Sequence, residues 1–345
     1  LIMYSLKSKV RPNILALQPY SSARHEFNED NATFLDANEN PFGDLNRYPD
    51  PFQKKLKEQL SVIKTISTES IFIGNGSDEV IDLAFRIFCK PGIDKVLTFT
   101  PTYGMYDVSA SINDIELIKI PLENDFQINT NKIESYLIDE QLKLIFICSP
   151  NNPTGNTIAS KSIKYILEKF NGIVIIDEAY IDFSEKESWV SEIQNYSNLI
   201  ISQTLSKAWG LAAARVGTAY AAHEIISLFN KVKPPYNVSQ LNQQAAIKVL
   251  KNVSRFETNK QLILTEKKQL IDSLTQLNQV IKIYPSDANF LLVEVLDANR
   301  IYSDLVDRKI VTRNRNNLIE NCIRITVGSP KENRLLVKTL KNLEQ

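Results

Sequence analysis

Short apolar runs alternate with amphipathic segments along the chain as far as Pro234-Pro235. The runs lie at 71–73, 95–100, 115–120, 142–148, 173–176 and 199–202, and each predicts a strand. The run at 142–148 is almost continuously apolar, which is typical of a parallel strand covered on both faces. The segments between the runs have helical periodicity, as where Ile163, Ile166 and Leu167 share a face. Strands that alternate with helices predict an open α/β sheet.

The pattern changes after Pro234-Pro235-Tyr236. Long helices are predicted across 239–278, followed by strands near 280–284, 289–295 and 322–326, which indicates a smaller α+β unit. Residues 1–45 have little apolar periodicity and need the rest of the protein to order them. We therefore expect an N-terminal arm at 1–45 packed on the small domain, a large mostly parallel α/β domain at 46–238, and a small α+β domain at 239–345.

Composition narrows the class of protein. Forty basic residues balance forty acidic ones, which argues against a nucleic-acid footprint and a polybasic membrane patch. No apolar run is long enough to span a membrane, and the N-terminal residues do not resemble a signal peptide, so we expect a cytoplasmic protein. The 3 cysteines lack metal-ligand spacing and the 2 histidines lie far apart. A metal site or a Ser-His-Asp triad is therefore not expected.

Polar motifs follow the three most apolar strands. The first motif is Ser149-Pro150-Asn151-Asn152-Pro153-Thr154-Gly155, the second is Asp177-Glu178-Ala179-Tyr180, and the third is Thr204-Leu205-Ser206-Lys207. Each begins where a predicted strand ends. Open parallel sheets bind their ligands at the carboxyl ends of their strands, so we expect the three motifs to surround one site.

The third motif, taken alone, has the composition either of a Schiff-base lysine site or of a surface lysine at the start of an ordinary Ala/Leu helix. Lys207 lies between hydroxyl residues and small apolar ones, and Arg215 follows. Desolvation and a nearby cation lower the pKa of an amine, which prepares it to act as a nucleophile. Thr204, Ser206 and Arg215 suit the oxygens of a phosphate.

A pyridine aldehyde phosphate bound to Lys207 explains these motifs together. Its ring nitrogen stays protonated beside a buried carboxylate, and Asp177 ends an apolar strand. Asn152 and Tyr180 can donate to its phenolate oxygen, while Tyr103 can lie over its ring. A strand and a glycine turn precede a predicted helix whose first turn contains Ser77 and Asp78, and the free N–H groups of these two residues would bind the phosphate.

Each of these residues also has a purely structural interpretation. The glycine turn at 74–79 matches no nucleotide-binding motif, and Tyr103 and Tyr180 can be core aromatic residues. Asp177-Glu178 after four aliphatic residues also resembles the end of an ATPase strand, but the chain has no GxxxxGK[ST] loop. The agreement of all the motifs favours the phosphate-containing cofactor.

On these motifs the chain resembles the fold-type I pyridoxal-phosphate aminotransferases, over nearly its whole length. Further segments match the branch of that family that acts on histidinol phosphate: Pro19–Arg24, Ala37–Pro41, Asn46–Pro49, Pro101–Tyr106 and Ile323–Gly328. The resemblance implies transamination between L-histidinol phosphate and 2-oxoglutarate, with pyridoxal 5'-phosphate as cofactor.

The resemblance also implies roles for individual residues. Lys207 would hold the cofactor, Asp177 would pair with its ring nitrogen, and Tyr103 would stack on it. Tyr48 matches a tyrosine that reaches the cofactor phosphate of a neighbouring subunit, which implies a homodimer with shared sites and contact between the arm and the partner. Arg324 would take the substrate phosphate or the glutamate carboxylate in turn. The same pocket would be lined by Tyr20, Asn40 and Arg313.

Other functions use the same apparatus. An aromatic aminotransferase and a threonine-phosphate decarboxylase are the nearest enzyme alternatives, because both carry the cofactor motifs. A cofactor-binding regulator without catalysis is the alternative from a different class, although every catalytic group named above is present.

Overall fold

A seven-stranded sheet forms the centre of the larger part of the molecule. The computed structural model describes residues 6–19 and 33–343. The strands of this sheet are β1 (Ile71–Asn75), β2 (Lys95–Thr100), β3 (Glu116–Pro121), β4 (Leu142–Cys148), β5 (Ile173–Asp177), β6 (Leu199–Thr204) and β7 (Val216–Ala221). Their order across the sheet is β1-β7-β6-β5-β4-β2-β3. The expected mostly parallel sheet is confirmed, and β4, β5 and β6 are neighbours within it.

Strand β7 is absent from the sequence-based prediction. It pairs antiparallel with both β1 and β6, whereas the contacts among β2 to β6 are parallel. Its sequence, VGTAYA, has small and polar residues in place of an aliphatic run, yet all six positions are buried. The burial comes from neighbouring elements, so local sequence gives little sign of it.

Helices cover both faces of this sheet. Within residues 6–19 and 33–238, the helices are α1 (Pro12–Ala16), α2 (Lys54–Lys64), α3 (Ser77–Phe88), α4 (Met105–Ile112), α5 (Glu134–Leu137), α6 (Ser160–Lys169) and α7 (His223–Val232). Along β4, Ile145 and Ile147 enter one apolar cluster, while Leu144 and Phe146 enter the other. This alternation explains the near-continuous apolar run, because each face of a doubly covered strand needs its own apolar residues.

The arm departs from expectation where it is described. Val10 and Ile14 belong to the apolar cluster built around α3, and the Arg11 amide donates to the carbonyl of Ile87 at 3.0 Å. Residues 6–19 therefore pack on the larger sheet's helices instead of on the small domain. Two apolar residues four positions apart form a short face that α3 covers.

A separate antiparallel sheet follows, in the order β10-β11-β9-β8. Its strands are β8 (Val280–Ile283), β9 (Phe290–Val295), β10 (Arg313–Asn314) and β11 (Cys322–Thr326), and its helices are α8 (Gln240–Leu250), α9 (Val253–Leu274), α10 (Ala298–Asp307) and α11 (Pro330–Asn342). Helix α9 contributes Phe256 to the core of the larger sheet and Leu270 to the core beneath the smaller one. The two parts thus share a continuous helix.

No helix within residues 6–19 and 33–343 combines the length and apolar character needed to cross a membrane.

Replacing Phe146 by alanine tests the core that supports the centre of the sheet. The Phe146 ring is fully buried and stacks on Tyr106 and Phe85, with ring centroids 4.8 and 5.5 Å away. We expect Phe146→Ala to lower the free energy of unfolding by about 3–5 kcal/mol, because it leaves a cavity. Urea denaturation measures this, and Ile138→Ala, at a side chain that is 83% exposed, is the control. Equal small losses in both variants would contradict the proposed packing.

Candidate active site

The ends of β4, β5 and β6 surround one cavity of about 120 Å³. Asn152 follows β4, Asp177 ends β5, and Lys207 follows β6. The cavity is lined by Ser77, Asp78, Tyr103, Cys148, Asn152, Asp177, Ala179, Tyr180, Thr204, Ser206, Lys207, Ala212 and Arg215. The structure therefore brings the three sequence motifs together at one edge of the sheet, as their position after neighbouring strands predicts.

Asp177 carries a buried carboxylate with two hydrogen bonds. The residue is 3% exposed, and its Oδ2 accepts from the hydroxyl of Tyr106 at 2.8 Å. Its Oδ1 accepts from the amide of Ala179 at 3.1 Å. Burial raises the pKa of Asp177 to about 6, although both hydrogen bonds act in the opposite direction. A cation facing this carboxylate would compensate its lost hydration.

Lys207 lies in a tight turn beside the same cavity. Its carbonyl accepts from the amide of Gly210 at 3.1 Å, and Gly210 has a φ of +69°, which favours glycine. Partial burial lowers the pKa of the Lys207 amine, and the charges of Arg324 and Arg215 lower it further. The amine is thus more readily neutral than a lysine in water, as a nucleophile or proton acceptor must be.

The start of α3 forms an anion cradle. Gly76, with a φ of +79°, precedes the helix, and a Cβ on it would lie 2.5 Å from Nη2 of Arg215. On β7, a Cβ on Gly217 would lie 2.2 Å from the amide nitrogen of Ser77. Free first-turn N–H groups at a helix start attract phosphate. Both glycines are therefore needed to bring this helix start against Arg215 and the edge of the sheet.

Side chains from other segments complete the cradle. Arg215 Nη1 donates to Ser206 Oγ at 3.4 Å, and its Nη2 lies 3.4 Å from Asp78 Oδ2. Thr204 Oγ1 donates to Ser206 Oγ at 2.9 Å. The hydroxyl of Tyr103 donates to Asp78 Oδ1 at 3.1 Å. The hydroxyls and the guanidinium are positioned to bind a phosphate group, with Asp78 orienting Arg215 and Tyr103.

Asn152 links the cavity to the smaller sheet. Its Nδ2 donates to the hydroxyl of Tyr180 at 3.3 Å, and its Oδ1 accepts from Nη1 of Arg324 on β11. Burial raises the pKa of Tyr180, so its phenol remains protonated at neutral pH and can donate. The amide and the phenol together can bind an oxygen anion in the cavity.

A larger cleft of about 960 Å³ opens beside this cavity. Tyr103, Asn152, Tyr180 and Lys207 line both spaces. The cleft adds Arg313, Arg315 and Arg324 from the smaller sheet. A molecule in the cleft could place one end near Lys207 and an anionic end near the arginines.

Some predicted site residues are not part of either cavity. Tyr20 lies outside the described residues. Within residues 33–343, Asn40 and Tyr48 line neither space. Asn40 Oδ1 accepts from the amide of Phe42, and the Tyr48 ring stacks on Tyr236 with centroids 4.4 Å apart. Their predicted roles stay predictions.

Tyr106, Cys148 and Arg315 also line the two spaces, and none of them is predicted as a site residue from the sequence. Tyr106 lies in the first turn of α4, three residues after Tyr103, and this short separation along the chain is the one local signal that links the two. Cys148 is the last residue of β4 and is a buried free thiol. The position of Arg315 depends on pairing between β10 and β11, which no local signal in the sequence reveals.

Comparison with known proteins identifies the class. The model of the family described as aminotransferase class I and II matches residues 16–340. The chain belongs to this family, which confirms the resemblance in its sequence.

Several similar proteins within this family are histidinol-phosphate aminotransferases. The chain is 50% identical to the histidinol-phosphate aminotransferase of Christiangramia forsetii, over 99% of each chain. It is 27% identical to the structure of the histidinol-phosphate aminotransferase from Clostridium acetobutylicum, with a TM-score of 0.79 over 87% of this chain and 91% of that one. The fold also matches the Sinorhizobium meliloti histidinol-phosphate aminotransferase in complex with pyridoxal-5'-phosphate, with a TM-score of 0.80, 23% identity and coverage of 87% and 85%.

Gly217→Ala tests the anion cradle. The added methyl group collides with the start of α3, so we expect about a tenfold or greater loss of affinity for pyridoxal phosphate. Fluorescence titration of the apoprotein measures the dissociation constant. Gly104→Ala is the matched control, since a Cβ at Gly104 meets nothing within 4 Å. Unchanged affinity in Gly217→Ala would show that the cradle does not bind the cofactor phosphate.

Asp177→Asn should have opposite effects on stability and activity. The folded pKa of Asp177, about 6, lies above the usual unfolded value near 3.9, so this group lowers the unfolding free energy of the apoprotein as pH rises between the two. We expect the variant to lack this pH dependence and to be up to about 2–3 kcal/mol more stable at pH 7. Transamination by the loaded enzyme should fall by about a hundredfold or more. Urea denaturation at pH 4 to 7 and steady-state kinetics test the two effects, and a variant that is both less stable and fully active would contradict them.

Proposed function

We propose that this chain transfers an amino group between L-histidinol phosphate and 2-oxoglutarate, giving imidazole-acetol phosphate and L-glutamate in histidine biosynthesis. The observation that carries the proposal is the convergence of Asn152, Asp177 and Lys207 on one cavity beside a cleft with cationic side chains. The histidinol-phosphate aminotransferase of Christiangramia forsetii, which is 50% identical to this chain, supports the proposal.

The cavity residues fit pyridoxal 5'-phosphate. The buried carboxylate of Asp177 would hold a protonated ring nitrogen, and Tyr103 would lie over the ring. Asn152 and Tyr180 would donate to the phenolate oxygen. The phosphate would be bound by the cradle of Ser77, Asp78, Thr204, Ser206 and Arg215. When bound, the cofactor supplies an electron sink for the substrate carbon that loses its proton.

Lys207 has two tasks in this proposal. Its amine would hold the cofactor covalently, and its lowered pKa makes the neutral, nucleophilic form accessible. As a free amine, Lys207 would also accept the proton from the substrate carbon and hold it for return. Asp177 and Tyr180 would keep the ring oriented.

The anionic ends of the two substrates would bind at the same place in the cleft. Arg324 lies in this cleft and contacts Asn152, so it couples the anion site to the cavity. A guanidinium binds a phosphate or a carboxylate through paired N–H groups. Arg313 lines the same cleft, and Tyr20 and Asn40 are proposed to complete the pocket.

A second copy of the chain is part of the proposal. The segment before α2 exposes large apolar side chains: Leu35, Phe42, Leu45 and Tyr48 are 89%, 81%, 61% and 50% exposed. Such a concentration of apolar surface supports a protein interface. In the homodimer Tyr48 would reach the cofactor phosphate of the other subunit.

The domain division at 46–238 and 239–345 and a cytoplasmic location also remain proposals.

A substrate panel tests the proposed reaction against its alternatives. We expect the loaded enzyme to turn over histidinol phosphate at least about a hundredfold more efficiently than phenylalanine, because only the former carries a phosphate for the arginines. Threonine phosphate should not be decarboxylated. Coupled assays for glutamate and carbon dioxide measure these outcomes. Negligible turnover of histidinol phosphate would reject the proposal.

Lys207→Ala is the control that separates an enzyme from a silent cofactor-binding protein. It should abolish transamination and alter the visible absorbance of the bound cofactor. If the wild type shows no transamination and Lys207→Ala leaves the absorbance of the bound cofactor unchanged, the cofactor-binding regulator is favoured.

A further inference from the structure

Three arginines share one face of the smaller sheet. Arg313 and Arg324 are directly paired across β10 and β11. The Arg315 amide donates to the carbonyl of Cys322 at 2.9 Å, which continues the same ladder by two residues. Because alternate residues of a strand face the same side, Arg315 follows Arg313 onto the face that carries Arg324. All three line the cleft beside Lys207.

This arrangement is electrostatically unfavourable in the absence of an anion. Like charges directly opposite each other destabilise a strand pair. Burial lowers the pKa of Arg315 to about 10, and the charges of Arg324 and Arg313 act in the same direction. Within residues 6–19 and 33–343, no carboxylate lies within 4.0 Å of any of the three guanidinium groups. Their repulsion is therefore uncompensated by an acidic side chain.

Arg315 differs from Arg324 in having no hydrogen-bond acceptor for its guanidinium among residues 6–19 and 33–343. Arg324 donates to Asn152, whereas the Arg315 guanidinium donates to no group in the described part of the chain. Its Nε is buried without a partner. A buried donor without an acceptor destabilises the protein, so an anion that accepts from it binds more tightly.

We propose that Arg315 is a specificity-determining residue that makes the cleft favour a phosphate monoester dianion over a carboxylate. The inference rests on the proposed function, which requires both anions to use this cleft in turn. A carboxylate has two oxygens, which one arginine can satisfy. A phosphate has three acceptor oxygens and about twice the charge, so it gains more from a further guanidinium. Arg324 thus serves both substrates, while Arg315 acts mainly on the phosphorylated one.

Substitution of Arg315 should separate the two half-reactions. We expect Arg315→Gln to lower kcat/KM for histidinol phosphate by about 30-fold and for glutamate by less than about threefold, mainly through KM. Arg315→Lys should recover part of the loss, because it keeps the charge without the planar donors. Arg308→Gln, an arginine on the same domain outside the cleft, is the control. Equal losses for both substrates, no loss for either, or a lysine variant as poor as glutamine would overturn the proposal.

A binding measurement distinguishes this inference from the proposed function. Isothermal titration of the cofactor-loaded enzyme with inorganic phosphate and with acetate needs no turnover. We expect Arg315→Gln to weaken phosphate binding at pH 8 by about tenfold and acetate binding by less than about twofold. Suppose the wild type fails to turn over histidinol phosphate, but Arg315→Gln weakens phosphate binding far more than acetate binding. The proposed function is then wrong and the role of Arg315 stands. If turnover occurs and the variant binds phosphate normally, the role of Arg315 is wrong and the function stands.

Discussion

The site depends on keeping a carboxylate where water hardly reaches it. Asp177 is the last residue of β5, a central strand that pairs with β4 on one side and β6 on the other. Burial there disfavours the charged form of its carboxyl group. The hydroxyl of Tyr106 and the amide of Ala179 compensate part of that cost. Tyr106 is in turn fixed by stacking on Phe146 of the adjacent strand. The core packing therefore also fixes the carboxylate that the proposed function assigns to the ring nitrogen.

The end of the cavity that would bind the cofactor phosphate depends on close backbone approach instead of a buried charge. Strand β7 brings Gly217 against the start of α3, and Gly76 leaves room for the Arg215 guanidinium. The hydroxyl groups of Thr204, the last residue of β6, and of Ser206, two residues later, lie beside it. Segments distant in sequence thus supply one anion site, because the antiparallel strand lies between β1 and β6.

The two sheets meet at the reacting centre. Arg324 on β11 bonds to Asn152 after β4, and Asn152 bonds to Tyr180 after β5. In the proposed function, an anion bound to Arg324 would therefore influence the two donors assigned to the cofactor oxygen. On the other side of Lys207, Trp209 stacks on Phe256 of α9 with ring centroids 3.8 Å apart. The lysine turn is held between the larger sheet and a helix that both apolar cores share.

Local sequence was sufficient for the apolar strands β4, β5 and β6, for the motifs at their ends, and for the family resemblance. Continuous aliphatic runs and polar residues directly after them are local properties, so Asn152, Asp177 and Lys207 could be selected without coordinates. Strand β7, the bond from Tyr106 to Asp177, and the place of Arg315 were decided only by the tertiary structure. Each depends on which segments become neighbours: VGTAYA is buried by other elements, and Arg315 reaches the cleft through the pairing of β10 with β11. Long-range pairing sets these contacts, and it leaves no periodicity within the segments themselves.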